Sequence, residues 1–216
     1  MRRRFVFLIA GVGVVASLAL AAQRSTDRNR DEWQKVAEVF AAMGISGGSV
    51  VADVGAGGGF FTTRLARHVG LDGKVYAVDV DAKNVDRLKR LAGDDGLMQV
   101  SAIQGTTTDP RLPDDALDAA LVVNAYHEFT AHQAMLTAIL RALKPGGRLV
   151  IVEPLATSRR DDSREQQERS HEIGPQYVRD DLTQAGFKIM ELIDPFTKRP
   201  EGDQMWLVVA KKPVGR

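Results

Sequence analysis

The sequence has no cysteine among its 216 residues, which excludes disulfides, a thiolate nucleophile, cysteine-ligated zinc and a cysteine-linked lipid anchor. Aromatic residues are scarce, at 6%, and no sign of charge dominates, with 29 Lys and Arg against 28 Asp and Glu and a net +1. There is thus neither a basic groove nor an aromatic series to suggest nucleic acid, and no acidic solvating tail. What is there is 44% hydrophobic and 26% charged, the balance of an ordinary globular protein. The length suits one domain of about 190–200 residues, large enough to bury a core.

The amino terminus differs from that average. Arg2, Arg3 and Arg4 are followed by 18 uncharged residues, Phe5 to Ala22, which end in small side chains, with Ala19-Leu20-Ala21 fitting an A-x-A cleavage site. Residues 1–22 therefore read as a signal peptide or an uncleaved membrane anchor. In either case the positive-inside rule places the rest of the chain outside the cytoplasm: exported, periplasmic or extracellular, or held at the inner membrane. Without this leader the balance is 26 basic against 28 acidic side chains, so the small positive charge belongs to the leader. Residues 23–30 are polar and read as a linker, and residues 31–216 as the domain.

Apolar runs alternate with amphipathic ones from there on. Helices are expected over 31–43, 60–69, 82–91, 132–143 and 177–185. Strands are expected over 49–54, 74–80, 98–104, 116–124, 148–153, 187–193 and 205–210. Pro145-Gly146-Gly147 is expected to stop the fourth of these helices, and the charge run 159–169 to form a solvated helix or loop. Strands separated by helices imply βαβ units and a parallel sheet. The last two strands, with no helix between them, suggest an antiparallel hairpin around 195–203. Ligands of such sheets bind beyond the strand carboxyl ends.

The first strand ends in Asp53-Val54-Gly55-Ala56-Gly57-Gly58-Gly59, where glycines permit a tight turn and close approach of backbone to a ligand. The dinucleotide pattern G-x-G-x-x-G fits at Gly55 and Gly57 and fails at Phe60. The second strand ends in Asp79, whose carboxylate can accept both hydroxyls of a ribose; Asp81 supplies the cap of the next helix.

Taken with Leu112-Pro113-Asp114, Lys144-Pro145-Gly146-Gly147-Arg148 and Ala185-Gly186-Phe187, these residues resemble the class I S-adenosylmethionine-dependent methyltransferases over about residues 31–212. The resemblance implies an α/β fold, a Rossmann-like doubly wound sheet of seven strands. The sheet is mostly parallel with an antiparallel last strand, and helices cover both faces. It implies S-adenosyl-L-methionine as cofactor; the small amount of chain outside the core fold favours a small-molecule or lipid-like acceptor. By position, Gly55, Ala56, Gly57 and Gly59 line the methionine portion, and Asp53 orients that turn or contacts the cofactor's amino group. Asp79 and Val80 meet the ribose, and 105–109 lies near the adenine, with Thr106 where the family commonly has an acidic residue and Asp109 beyond it. Asn124, at the end of the fourth strand, faces the methyl group.

After Asn124, Tyr126 is expected to lend an aromatic face to the sulfonium, and His127 with Glu128 forms the one adjacent acid–base pair near the site. His171 follows the fifth strand, in a region that in this family lines the acceptor pocket. His68 is expected to close a helix, and His132 to sit on a surface face. No two histidines or carboxylates stand at metal-ligand spacing on one helix; His127, His171 and Glu128 or Glu153 would have to be gathered by the fold, so no metal is expected. Two other readings share parts of the pattern: a non-catalytic nucleoside-binding module and an NAD(P)-dependent oxidoreductase, the latter disfavoured by Phe60 and the terminal hairpin.

Overall fold

A computed structural model describes residues 29–200 and 202–215. The leader read over residues 1–22 and most of the linker lie outside the described residues. The chain divides after Val36. In the short amino-terminal unit, 29–33 are helical, including the last two residues of the expected linker, and a turn follows at 34–35. The helix expected over 31–43 is therefore interrupted, with Lys35 at φ 49°, and α1 spans Val36–Met43.

From Ala37 onward the chain forms a seven-stranded sheet. Its strands are β1 (Val50–Val54), β2 (Lys74–Asp79), β3 (Val100–Gln104), β4 (Leu117–Val123), β5 (Leu143–Pro154), β6 (Lys188–Lys198) and β7 (Gln204–Lys211). Their order is β3-β2-β1-β4-β5-β7-β6, and only β7 runs against its neighbours. This is the expected doubly wound sheet, mostly parallel with an antiparallel last strand. The central strands are buried along most of their length, as parallel strands covered by helices must be. The covering helices are α2 (Phe60–Val69), α3 (Ala82–Asp94), α4 (His132–Ala142), α5 (Arg164–Arg169) and α6 (Pro175–Gln184).

Local chemistry sets the ends of these elements. Asp81 caps α3, accepting from the Lys83 amide at 2.8 Å, as expected. Ser163 and Gln166 form a capping box on α5. The chain leaves α4 at Leu143, before Pro145, and pairs with Leu117 of β4 at once. Pro145-Gly146-Gly147 is therefore an irregularity inside β5 rather than the stop of a helix. The β6–β7 turn is narrower than 195–203, because Phe196–Lys198 still belong to β6.

The charge run 159–169 contains a helix, as expected, but it is only partly solvated. Arg160 grips Asp194 with two bonds of 2.7 and 2.6 Å. Arg164 bonds both oxygens of Asp181, at 3.1 and 2.7 Å, and Glu168 at 2.7 Å. The Gln167 side chain is fully buried, donating to the Arg159 carbonyl and accepting from the Gly174 amide. The segment docks because its basic residues find acidic partners on α6 and β6, partners far away in sequence. The Tyr126 hydroxyl, also fully buried, donates to Asp181 at 2.8 Å. Burial raises the Asp181 carboxyl, but Arg164 and Tyr126 outweigh it and hold the group below the usual range.

Tyr126→Phe leaves one buried oxygen of Asp181 short of a donor. It should lower the unfolding free energy by about 1–3 kcal/mol, read from urea denaturation, with the native circular dichroism spectrum unchanged.

Candidate active site

A cavity of about 450 Å³ opens at the carboxyl ends of β1, β2 and β4. Its wall takes Gly55 and Gly57 from the turn after β1, Asp79 and Val80 from the end of β2, Thr106 and Thr107 after β3, and Asn124 after β4. Each of these was singled out in the sequence except Thr107, which lies within the 105–109 segment. Ala56, Gly59, Asp53, Asp109, Tyr126, His127 and His171 are not part of that wall.

The glycine turn is tied to β2. The amides of Gly55 and Ala56 both donate to the Val78 carbonyl at 2.9 Å, and the Gly57 amide donates to Asp79 Oδ2 at 2.8 Å. Asp79 Oδ1 accepts from the Asp81 amide at 2.9 Å. Each carboxylate oxygen thus keeps capacity for another donor. Gly55, Gly57 and Gly59 are needed for different reasons. A Cβ on Gly55 would lie 2.5 Å from the Ala125 Cβ, so glycine there lets the β1 and β4 ends come together. At Gly57, with φ +50°, a Cβ would meet nothing within 4 Å; the space in front of it is the cavity. At Gly59 a Cβ would lie 2.5 Å from Leu91 Cδ2 and 3.0 Å from Leu88 Cδ2. Gly59 therefore serves the packing of α2 on α3.

Asp53 is buried behind the turn and accepts from the Thr62 hydroxyl at 2.7 Å. It braces the start of α2 from below. Burial pushes its carboxyl up from 3.8 to about 6 against the lowering effect of Thr62.

On the opposite wall, Asn124 sits at φ 52°, a left-handed conformation that asparagine tolerates, and its side-chain oxygen accepts from Arg199 of the β6–β7 turn. The chain then makes a short helical turn, Tyr126–Glu128. Glu153, at the end of β5 and fully buried, organises that turn. Its Oε1 accepts the amides of Ala125 and Tyr126 at 2.7 Å each, and its Oε2 holds His127 Nδ1 at 2.6 Å. Burial lowers the affinity of the His127 ring for a proton, but the bond to Glu153 and the charges of Glu153 and Glu128 outweigh it and leave the pKa raised.

Tyr126 does not present its face to the cavity. Its ring is buried against Phe129 and His132, at centroid distances of 5.2 and 4.9 Å. Phe129 stands on the wall instead. The reason is the Tyr126 hydroxyl, which has to reach Asp181. His132 is likewise not on a surface face; its side chain is 14% exposed. His171, exposed and at φ 57°, meets the His127 ring edge to face at 5.7 Å.

Sequence reasoning missed Asn84, Phe129, Thr130 and Met135 on the wall, and the roles of Glu153 and Arg199. A single charge closing the apolar run of β5 was the available signal for Glu153. Nothing in the sequence marks Arg199.

S-adenosylmethionine fits these residues: a free carboxylate capacity at Asp79, an open face at Gly57, and the exposed apolar Val80 are the features a ribose, an amino-acid chain and a base require.

The raised pKa of Asp53 gives a stability test. Its folded value lies above the unfolded one, so the native state keeps a proton that the unfolded chain releases, and stability falls as pH rises from about 4 to 6. Asp53→Asn keeps an acceptor for Thr62 and removes this titration. The variant should gain on the wild type by about 3 kcal/mol between about pH 4 and about pH 7, measured by denaturant unfolding at each pH.

Residues 51–147 match the methyltransferase domain family. The chain is 28% identical over 122 residues to a ubiquinone/menaquinone biosynthesis C-methyltransferase of Marinomonas, covering 56% of this chain and 48% of that one. It is 40% identical over 102 residues to an uncharacterized methyltransferase of Mycobacterium bovis, covering 47% and 38%. The chain thus spans less than half the length of these curated relatives. In three dimensions it resembles a SAM-dependent methyltransferase from Aquifex aeolicus, with a TM-score of 0.71 at 24% identity over 87% of this chain and 97% of that one. The match over residues 51–147 is therefore to a methyltransferase domain, and the described sheet has the fold of the S-adenosylmethionine-dependent methyltransferases.

Proposed function

We propose that the protein is an S-adenosylmethionine-dependent methyltransferase acting on a small-molecule acceptor. The observation that carries this reading is the Asp79 carboxylate, fixed at the end of β2 against the glycine turn, on the wall of the same cavity as the open face of Gly57. When bound, the cofactor supplies an electrophilic methyl group on a cationic sulfur. Asp79 accepts the ribose hydroxyls, and Gly55 and Gly57 let the methionine portion lie against the backbone. Val80, Thr106 and Thr107 receive the adenine. Asn124 and Glu128 stand at the methyl end. There Phe129, in place of Tyr126, offers the aromatic face, an attraction of about 0.5–2 kcal/mol for a cation.

Holding acceptor and methyl carbon in line contributes several kcal/mol, and a base is needed only where the nucleophile must lose a proton. His127 acts from behind the wall, through Glu128, 3.8 Å from its Nε2. The likeness to C-methyltransferases of quinone biosynthesis supports a small organic acceptor. The leader read in the sequence supports a further proposal, that residues 1–22 take the chain to or across a membrane. Among the described residues no helix is long and apolar enough to span one.

Calorimetric titration with S-adenosylmethionine, S-adenosylhomocysteine and the nicotinamide dinucleotides tests the cofactor. Both S-adenosyl compounds should bind and the dinucleotides should not; failure of both S-adenosyl compounds refutes the reading. Asp79→Ala should weaken binding ~10-fold or more, since hydrogen bonds to a charged group contribute about 1.5–3 kcal/mol each. For the leader, amino-terminal sequencing of the chain from fractionated bacteria should find a start at Ala22 or Gln23 in the exported fraction, or intact Met1 in the membrane. Recovery from the cytosol alone refutes export.

A further inference from the structure

The sequence shows no metal-ligand spacing, yet the fold gathers three donor groups beside the cavity. The ligand atoms of His127, Glu128 and His171 all lie within 4.8 Å of one another. They come from the turn after β4 and from the loop between α5 and α6, 44 positions apart at His127 and His171, so only the tertiary structure assembles them.

The three are not equivalent. His127 is buried, and its Nδ1 lies 2.6 Å from Oε2 of Glu153. A carboxylate accepts, so the Nδ1 side of the ring donates to Glu153, and Nε2, 3.8 Å from Glu128 Oε1, is the nitrogen left to bind a metal ion once it gives up its proton. A carboxylate behind the far nitrogen of a histidine is the arrangement that fixes ring orientation and raises basicity in metal sites. His171 is held in a left-handed backbone conformation, with its amide on the Glu168 carbonyl at 3.0 Å. Side chains of its kind adopt this at a cost of about 1–3 kcal/mol, and such outliers cluster at functional sites. The next two residues are pinned as well: the Glu172 amide donates to the Gln167 carbonyl and the Ile173 amide to the Pro154 carbonyl.

We infer that His127, Glu128 and His171 form a binding site for a divalent transition-metal ion at the edge of the cavity. Two imidazoles and one carboxylate suit zinc, cobalt, nickel or iron(II). Bonds of about 2.0–2.2 Å require donors about 3.3 Å apart in a tetrahedral site. The Glu128 and His171 side chains are exposed and close the remaining gap by rotation, while buried His127 stays in place. Three protein ligands leave a position open to water or to an oxygen of a second ligand. Because Glu128 is also on the cavity wall, that position faces the space assigned above to the acceptor.

The test is calorimetric titration of the full chain, free of any polyhistidine tag and stripped by chelator, with Zn²⁺ and with Co²⁺, whose visible absorption reports nitrogen and oxygen ligation. No S-adenosyl compound is present, so the metal result and the cofactor reading stand or fall separately. One equivalent should bind. His171→Ala and Glu128→Gln, both at exposed positions, should each weaken binding ~10-fold or more, and Glu153→Gln, which keeps an oxygen for the turn amides, by ~10–100-fold. His68→Ala should leave it unchanged. Absence of binding at millimolar metal, or affinity unaltered in both His171→Ala and Glu128→Gln, would overturn the inference. These two variants decide the matter even if Glu153→Gln does not fold.

Discussion

One fully buried carboxylate governs the β4 side of the cavity. Burying the polar oxygens of Glu153 without partners would be costly, and the chain offsets this by wrapping a turn around them. Two amides and one imidazole nitrogen converge on its two oxygens. The backbone after β4 must therefore curl back toward the end of β5, and this curl directs Asn124 and Phe129 to the cavity, Tyr126 to the core and His127 to the space between. A residue that touches neither cavity nor solvent thus sets the orientation of most that do.

The cofactor side is organised on the same principle with a different economy. There the carboxylate, Asp79, sits at the surface of the cavity and shares its lone pairs between the protein and whatever enters. The turn that it holds is built from glycines with separate duties: one allows two strand ends to meet, one faces open space, and one admits leucine side chains from α3. Asp53 lies beneath them as a support whose burial costs stability near neutral pH. Cost in stability at a functional turn is the pattern expected where geometry is kept for a purpose other than folding.

Much of this was legible in the sequence because the responsible forces are local. The period of the apolar residues placed every strand, and the glycine cluster followed by Asp79 located the cavity. Asp81 was readable as a cap because capping needs only its neighbours. What could not be read depends on partners distant in sequence. The charge run 159–169 is indistinguishable from solvated surface until Asp181 and Asp194 are brought against it. Tyr126 and Phe129 are both aromatic and three residues apart; only the buried acceptor Asp181 decides which of them turns inward. The same holds for Gly59, whose glycine character reads like that of its neighbours although its constraint comes from Leu88 and Leu91.

The reversed direction of β7 has a consequence for divergence. Because β6 runs parallel to β5 and β7 returns between them, the turn joining β6 to β7 emerges at the same edge as the ligand-facing loops, where Arg199 reaches Asn124. That turn is connected to the rest of the molecule by two strands whose register is fixed deep in the sheet. Residues inserted or exchanged within it reshape the mouth of the cavity without disturbing β1 or β2. The architecture thus keeps the β6–β7 turn apart from the strands that hold Asp79 and the glycine turn.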